Sequence, residues 1–178
     1  MARSREASKG AGTLVLLNTT SFSAASSVSL NNIFSSTYDN YKIIVDTTAS
    51  SANSDLSFKF RLSGSDLTNT YYGAFIGLTH ANAAVNWTIN NGAAAKITEM
   101  VSYTKRVGFV TLEVNGPFLT SSKNATWSTM GVSTAGSTGL AGTGAVSYDT
   151  TTNSSDGISF IRSSGTFTGT ITVYGYRK

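Results

Sequence analysis

The chain has 178 residues, enough for one domain to bury a core without covalent staples. Thirteen Lys and Arg oppose nine Asp and Glu, a net charge of +4, too small and too dispersed for the clustered basic stripe of a nucleic-acid binder. Cys is absent, which excludes disulfides and thiolate metal sites, and no apolar run approaches the ~20 residues of a membrane-spanning helix.

Charged residues make up 12% of the chain, about half the usual share. Hydroxyls replace them: there are 27 Ser and 26 Thr. Such a surface is polar without charge and can be buried against a partner at less desolvation cost than a Lys/Glu surface.

Residues 1–12 read as a polar, basic arm carrying Arg3, Arg5 and Lys9 and ending in Gly10-Ala11-Gly12. No apolar stretch of secretory-leader length follows, so synthesis in a cytoplasm without export through a leader is expected. Left free, the arm would be disordered, and a neighbouring subunit is its expected tether. Residues 13–178 form the domain.

From there the period is two. A short apolar run occupies 13–17. Leu30, Ile33 and Phe34 stand at i, i+3 and i+4 and predict a single helical turn. Over 41–47, Tyr41, Ile43 and Val45 share a face opposite Lys42 and Asp46. Over 56–62, Leu56, Phe58, Phe60 and Leu62 face in while Ser57, Lys59 and Arg61 face out. Strands follow at 72–78 and at 85–90, where Val85, Trp87 and Ile89 alternate and Trp87 belongs in the core. Further strands are expected at 107–114 and 127–132.

Residues 131–144, GVSTAGSTGLAGTG, are low in complexity. They predict a flexible loop, or else a flat Gly/Ala/Ser strand lying against a neighbour. Strands at 157–162 and 167–176 close the chain. In the last, Phe167, Ile171 and Val173 oppose Thr168, Thr170, Thr172, Tyr174 and Tyr176. No segment holds a 3.6-residue period for three turns. The expected class is all-β, an antiparallel β-sandwich or jelly roll of about 8–10 strands.

Chemistry is sparse. A triad needs a base beside its nucleophile, and the one His, His80, reads as a loop or strand-end residue. Asp55 and Asp66 bracket the 56–62 strand, but nothing in the spacing makes them the carboxylate pair of a glycosidase. Asp149 and Asp156 flank a Thr/Asn/Ser stretch without a Ca²⁺-loop pattern. No catalytic residue, cofactor or metal site is expected. Glycan binding would need an exposed aromatic platform, for which Tyr71, Tyr72 and Trp127 are candidates, with Tyr103 beside them. Tyr174 and Tyr176, opposite the apolar face of the last strand, suit an oligomer interface, where Tyr is enriched.

Three stretches carry a resemblance. Ser29-Leu30-Asn31-Asn32-Ile33-Phe34-Ser35-Ser36-Thr37-Tyr38-Asp39-Asn40-Tyr41 leads into Lys42-Ile43-Ile44-Val45. Phe58-Lys59-Phe60-Arg61-Leu62-Ser63-Gly64 follows. The third is the end of the chain, Asp156-Gly157-Ile158-Ser159-Phe160 through Gly169-Thr170-Ile171-Thr172-Val173-Tyr174-Gly175-Tyr176-Arg177-Lys178. Together these resemble the strand scaffold of small tailed-bacteriophage virion proteins. The resemblance implies a β-sandwich subunit, often a homotrimer, that decorates a capsid or lies at a fibre tip. It carries over no catalytic residue. The expectation is a decoration or cement protein of the virion whose partners are the major capsid protein and other virion subunits, with the basic arm running along acidic capsid surface. Neither nucleic acid nor membrane is expected as a partner. The alternative is a fibre-tip module that binds a host surface glycan.

Overall fold

Alternation of apolar and polar residues becomes alternation of burial along nearly every strand. The computed structural model describes residues 13–102, 108–133, 138–150 and 152–178. The arm at 1–12, with Arg3, Arg5 and Lys9, and the candidate Tyr103 lie outside the described residues.

In chain order the strands are β1 (Leu14–Ala25), β2 (Ser27–Leu30), β3 (Asn40–Ser50), β4 (Ser54–Leu62), β5 (Ser65–Asp66), β6 (Tyr71–Thr79) and β7 (Ala84–Gly92). They continue as β8 (Ala95–Met100), β9 (Gly108–Asn115), β10 (Lys123–Ser133), β11 (Thr138–Tyr148), β12 (Gly157–Arg162) and β13 (Phe167–Tyr176). An eight-stranded sheet runs β1-β13-β3-β9-β10-β11-β6-β7, and a five-stranded sheet runs β2-β12-β4-β5 with β8 paired to β4. Every pairing is antiparallel. The two sheets pack face to face as a sandwich, the class the alternation predicts.

The core fills the space between the sheets. From the larger sheet Tyr41, Ile43 and Val45 of β3, Val110, Leu112 and Val114 of β9, Trp127 of β10, Phe75 of β6 and Ile171 and Val173 of β13 point inward. Leu56, Phe58 and Phe60 of β4, Ile97 of β8 and Ile158 and Phe160 of β12 meet them from the smaller sheet. Burying each such side chain contributes about 1.5–3 kcal/mol. The Trp127 indole also donates Nε1–H to the Ile97 carbonyl at 2.9 Å, one sheet to the other.

Two buried tyrosines fasten loops to this core. The Tyr41 hydroxyl accepts from Ser35 N at 2.8 Å and donates to Ser35 O at 3.0 Å. That of Tyr71 accepts from Phe60 N at 2.8 Å and donates to Leu67 O at 3.1 Å. Both rings are fully buried, and desolvation pushes both hydroxyl pKa values up.

Three local expectations need correction. The helical turn over Leu30, Ile33 and Phe34 does not form. Leu30 pairs with Ile158 at the end of β2, Asn32 takes a positive φ of 55°, and Phe34 plugs the core while its N–H donates to Asp156 O at 3.0 Å. Secondly, three short strands lie outside the expected set: β2, whose four residues Ser27-Val28-Ser29-Leu30 alternate but are too few to stand out, the two-residue β5, and β8, which buries Ala95, Ile97, Thr98 and Met100 in a pattern broken by a register shift against β4.

Thirdly, the Gly-rich stretch is neither a loop over most of its length nor a sheet edge. Its described residues belong to β10 and β11, and β11 lies inside the sheet between β10 and β6. Glycine serves there as space. A Cβ at Gly144 would sit 2.2 Å from Cζ2 of Trp127, and one at Gly142 would sit 2.2 Å from Cζ of Phe75. The two large rings lie across the strand where side chains are missing, so the low complexity is one half of an aromatic–glycine packing layer.

Candidate interaction surface

Strand pairing fixes which side chains share the outer face of the large sheet. Leu78 is opposite Ala141, Ala141 opposite Met130, and Met130 opposite Phe109. One residue pair along, Ile76 faces Thr143 and Thr143 faces Ser128. Ile76 is 71% exposed, Met130 69%, Leu78 51% and Phe109 41%. Scattered exposed apolar residues are ordinary, but these stand together across β6, β11, β10 and β9. Large contiguous apolar surface on a folded chain marks an interaction site.

Relief on this face is shaped by residue size. The outward positions of β11 are Gly139, Ala141, Thr143 and Ala145, all small. Beside them Ile76 and Leu78 of β6 form one ridge and Met130 of β10 stands on the other flank. Between them lies an apolar depression lined by Leu78, His80, Met130, Gly139 and Ala141.

Charge is segregated away from this region. The strands β6, β7, β10 and β11 contain one charged residue, Lys123, and it points inward and is fully buried. Its ammonium donates to Ser121 O at 3.1 Å and to Asn153 O, and lies 5.7 Å from the Tyr148 ring centroid. Burial pushes its pKa down. On the same sheet outward charge gathers on β3 and β9, where Lys42 and Glu113 pair at 3.2 Å. On the smaller sheet Lys96 bridges Asp55 at 3.0 Å and Glu99 at 3.1 Å, and Arg61 pairs with Asp66.

The sequence candidates fall in different places. Tyr71 is 0% exposed and Trp127 2% exposed, so both are removed from any glycan platform. Tyr71 alternates with Tyr72 on the inward side, and Trp127 lies opposite Gly144. Tyr72 is 41% exposed and shares the outer face of β6 with Ile76 and Leu78. Trp87, expected in the core, packs against its margin. It is half-buried, stacked on Phe75 at 4.0 Å and 7°, and capped by the Lys96 ammonium at 4.4 Å. Lys96 O accepts its indole N–H at 3.3 Å.

Tyr174 and Tyr176 are half-buried on the outer face of β13, opposite Leu16 and Leu14 of β1. The Tyr176 hydroxyl donates to Glu113 Oε2 at 2.8 Å; desolvation and the neighbouring carboxylate push its pKa up. Part of each ring is therefore used within the chain. Leu14 and Leu16, 45% and 59% exposed, make a second, smaller apolar group there.

The paired acids do not meet. Asp55 is held by Lys96 at one end of β4, while Asp66 is held by Arg61 and by the Ser159 hydroxyl at 2.9 Å near the other. Six residues of strand, about 20 Å, separate those ends, beyond the reach of a glycosidase pair. Asp149 accepts from the Ser122 hydroxyl at 2.9 Å, and Asp156 accepts from Ser63 N at 2.8 Å. Among the described residues no group of three or more His, Asp or Glu side chains could hold a metal ion. His80 begins the turn after β6, its N–H donating to Gly139 O at 2.9 Å.

Sequence reasoning found the alternation but missed the patch. Ile76 and Leu78 were visible as strand residues; that Met130 and Phe109 join them depends on the pairing of β6 with β11, which chain order does not reveal. No protein-family model, curated protein or solved structure matches this chain.

Proposed function

We propose that this chain is a structural subunit of a bacteriophage particle, a decoration protein that packs as an oligomer on the outer capsid surface and stabilises it. A packing role rests on one observation above the rest. Half of the outer face of the large sheet has no charge, and Ile76, Leu78 and Met130 stand out of it. Such a face gains by being covered, since each exposed apolar side chain returns about 25 cal/mol per Å² on burial. The choice of a phage particle rests on the likeness of residues 29–45, 58–64 and the closing strand to tailed-phage virion proteins. Fibre-tip glycan recognition is the weaker alternative, because among the described residues its platform is reduced to Tyr72.

Purified particles test the proposal. A decoration protein should be present at on the order of hundreds of copies per particle, as symmetry-repeated surface sites require. Particles lacking it should release their contents at lower temperature while adsorbing to the host normally. A few copies per particle, with adsorption lost and heat stability kept, would overturn the decoration role in favour of the fibre.

A further inference from the structure

We infer that the outer face of β6, β7, β10 and β11 is where a second copy of this chain docks, in a two-fold contact that places the ridge of each copy in the trough of the other. The inference deepens the structural-subunit reading by naming the partner of that face.

Charge argues for a like partner. A two-fold contact sets each surface patch against itself, so any charge near the axis meets its own copy. Here the four strands offer none, and the contact forms without like-charge repulsion. Elsewhere Lys42, Asp46 and Glu113 populate the outer face of β3 and β9, and Asp55, Lys96 and Glu99 the smaller sheet, while the likewise uncharged β1 and β13 present only the smaller apolar group of Leu14 and Leu16 among the described residues. A strongly charged partner would find nothing on the uncharged face to pair with its own desolvated ions.

Shape argues the same way. A ridge of Ile76 and Leu78 runs beside a trough whose floor is Ala141, Thr143 and Ala145, and the two are one strand apart. A face that carries a ridge and an adjacent trough of the same chemistry is complementary to its own rotated copy. Met130, the most exposed residue on the far flank, would close over the partner's ridge.

Area is of the right order. Four strands from β7 to β10 at about 4.8 Å spacing, each about 30 Å long, span roughly 580 Å² in projection. A side-chain surface exceeds its projection, and a standard interface buries about 800 Å² per partner.

The test is sedimentation equilibrium of the full chain and of single variants at positions whose exposure makes folding insensitive to the change. The wild type should be a dimer at about 100 µM, where even a micromolar complex is formed. Met130→Lys and Ile76→Lys should each raise the dissociation constant at least about tenfold. Leu16→Lys, in the separate apolar group on β1, should leave it unchanged. An equimolar mixture of Met130→Lys and Leu78→Glu, which sets a lysine of one copy against the ridge glutamate of the other and leaves the second contact native, should recover dimers that neither forms alone. A monomeric wild type at this concentration overturns the inference. So does a trimer, or a dimer that Leu16→Lys dissociates and Met130→Lys does not. Copy number on particles is read independently. A monomer in solution that still decorates particles would overturn the two-fold contact and leave the structural role standing, and a dimer absent from particles would do the reverse.

Discussion

Tyr71 illustrates how a single side chain joins core and loop. Its ring packs among Phe58, Phe60 and Tyr148, the last at 4.7 Å between centroids, and its hydroxyl satisfies both a strand N–H and a loop carbonyl. Tyr71→Phe keeps the ring and leaves Phe60 N and Leu67 O without that partner. The expected loss is about 1–3 kcal/mol, read as a lowered urea midpoint with an unchanged m-value. Titration gives a second reading. Burial raises the folded-state pKa of Tyr71 and Tyr41 above the ordinary 10. The unfolded chain then releases protons first as pH rises, so their stabilising contribution is complete below pH 10 and is lost above it. Absorbance at 295 nm should show Tyr41 and Tyr71 ionising only together with loss of the fold. Early titration of all tyrosines with the fold intact would contradict the buried placement. In the sequence, Tyr71 and Tyr72 were equal candidates for an exposed platform. The phase of the alternation, one residue in and one out, was legible; which of the two was inward was not, because it depends on where the facing sheet lies.

At the level of the strand, β11 shows how composition misleads. A run of Gly, Ala, Ser and Thr has low strand propensity and reads as a loop, yet β11 pairs on both sides, with β10 and with β6. The missing information was on other strands: Trp127 and Phe75 supply the volume that Gly144 and Gly142 leave open. Gly144→Ala should therefore destabilise by about 1–3 kcal/mol through overpacking against the Trp127 ring. Combining it with Trp127→Leu, which removes the ring, should give a loss smaller than the sum of the two single losses. Thermal unfolding of the four proteins of this cycle measures the coupling; simple additivity would mean that the ring and the glycine do not meet. By contrast, β3, β4, β12 and β13 were visible at once, because Tyr41-Ile43-Val45 and Leu56-Phe58-Phe60 alternate and are buried; at the end of β4 the expectation reverses, with Arg61 buried and Leu62 half-buried. The apparent helical turn at Leu30 failed for a local reason. Its three apolar residues serve two elements, the end of β2 and a loop whose Phe34 ring stacks edge-on to Tyr41 at 4.7 Å.

Across the whole molecule the organising feature is the separation of charge from apolar surface on one continuous sheet. The chain's low charge content was evident from composition, but its distribution was not. Lys123 would have counted as a surface cation from sequence, whereas it is buried beneath Tyr148 and bound to two carbonyls. Once it is turned inward, the half-sheet from β10 to β7 is left uncharged. The sandwich class follows from local alternation, and the interaction face follows from pairing between distant strands. That order of dependence explains why the fold was readable and the face was not. Tyr174 and Tyr176 are partly committed within the chain to Leu14, Leu16 and Glu113, and the two-fold contact we infer uses the ridge and trough of β6 and β11 instead.

Oxidative footprinting of the methionines tests the central claim, that this face is covered by protein in the working state, most directly. Met130 is 69% exposed on the isolated chain and Met100 is 1% exposed, so the second serves as a buried reference for the first. Sulfoxide formation at each is read by peptide mass spectrometry, with the unfolded chain as the fully reactive standard. At about 100 µM of the full chain, Met130 should be protected to nearly the level of Met100. Met130 oxidising at that concentration as fast as in the unfolded chain, while Met100 stays protected, would contradict the claim.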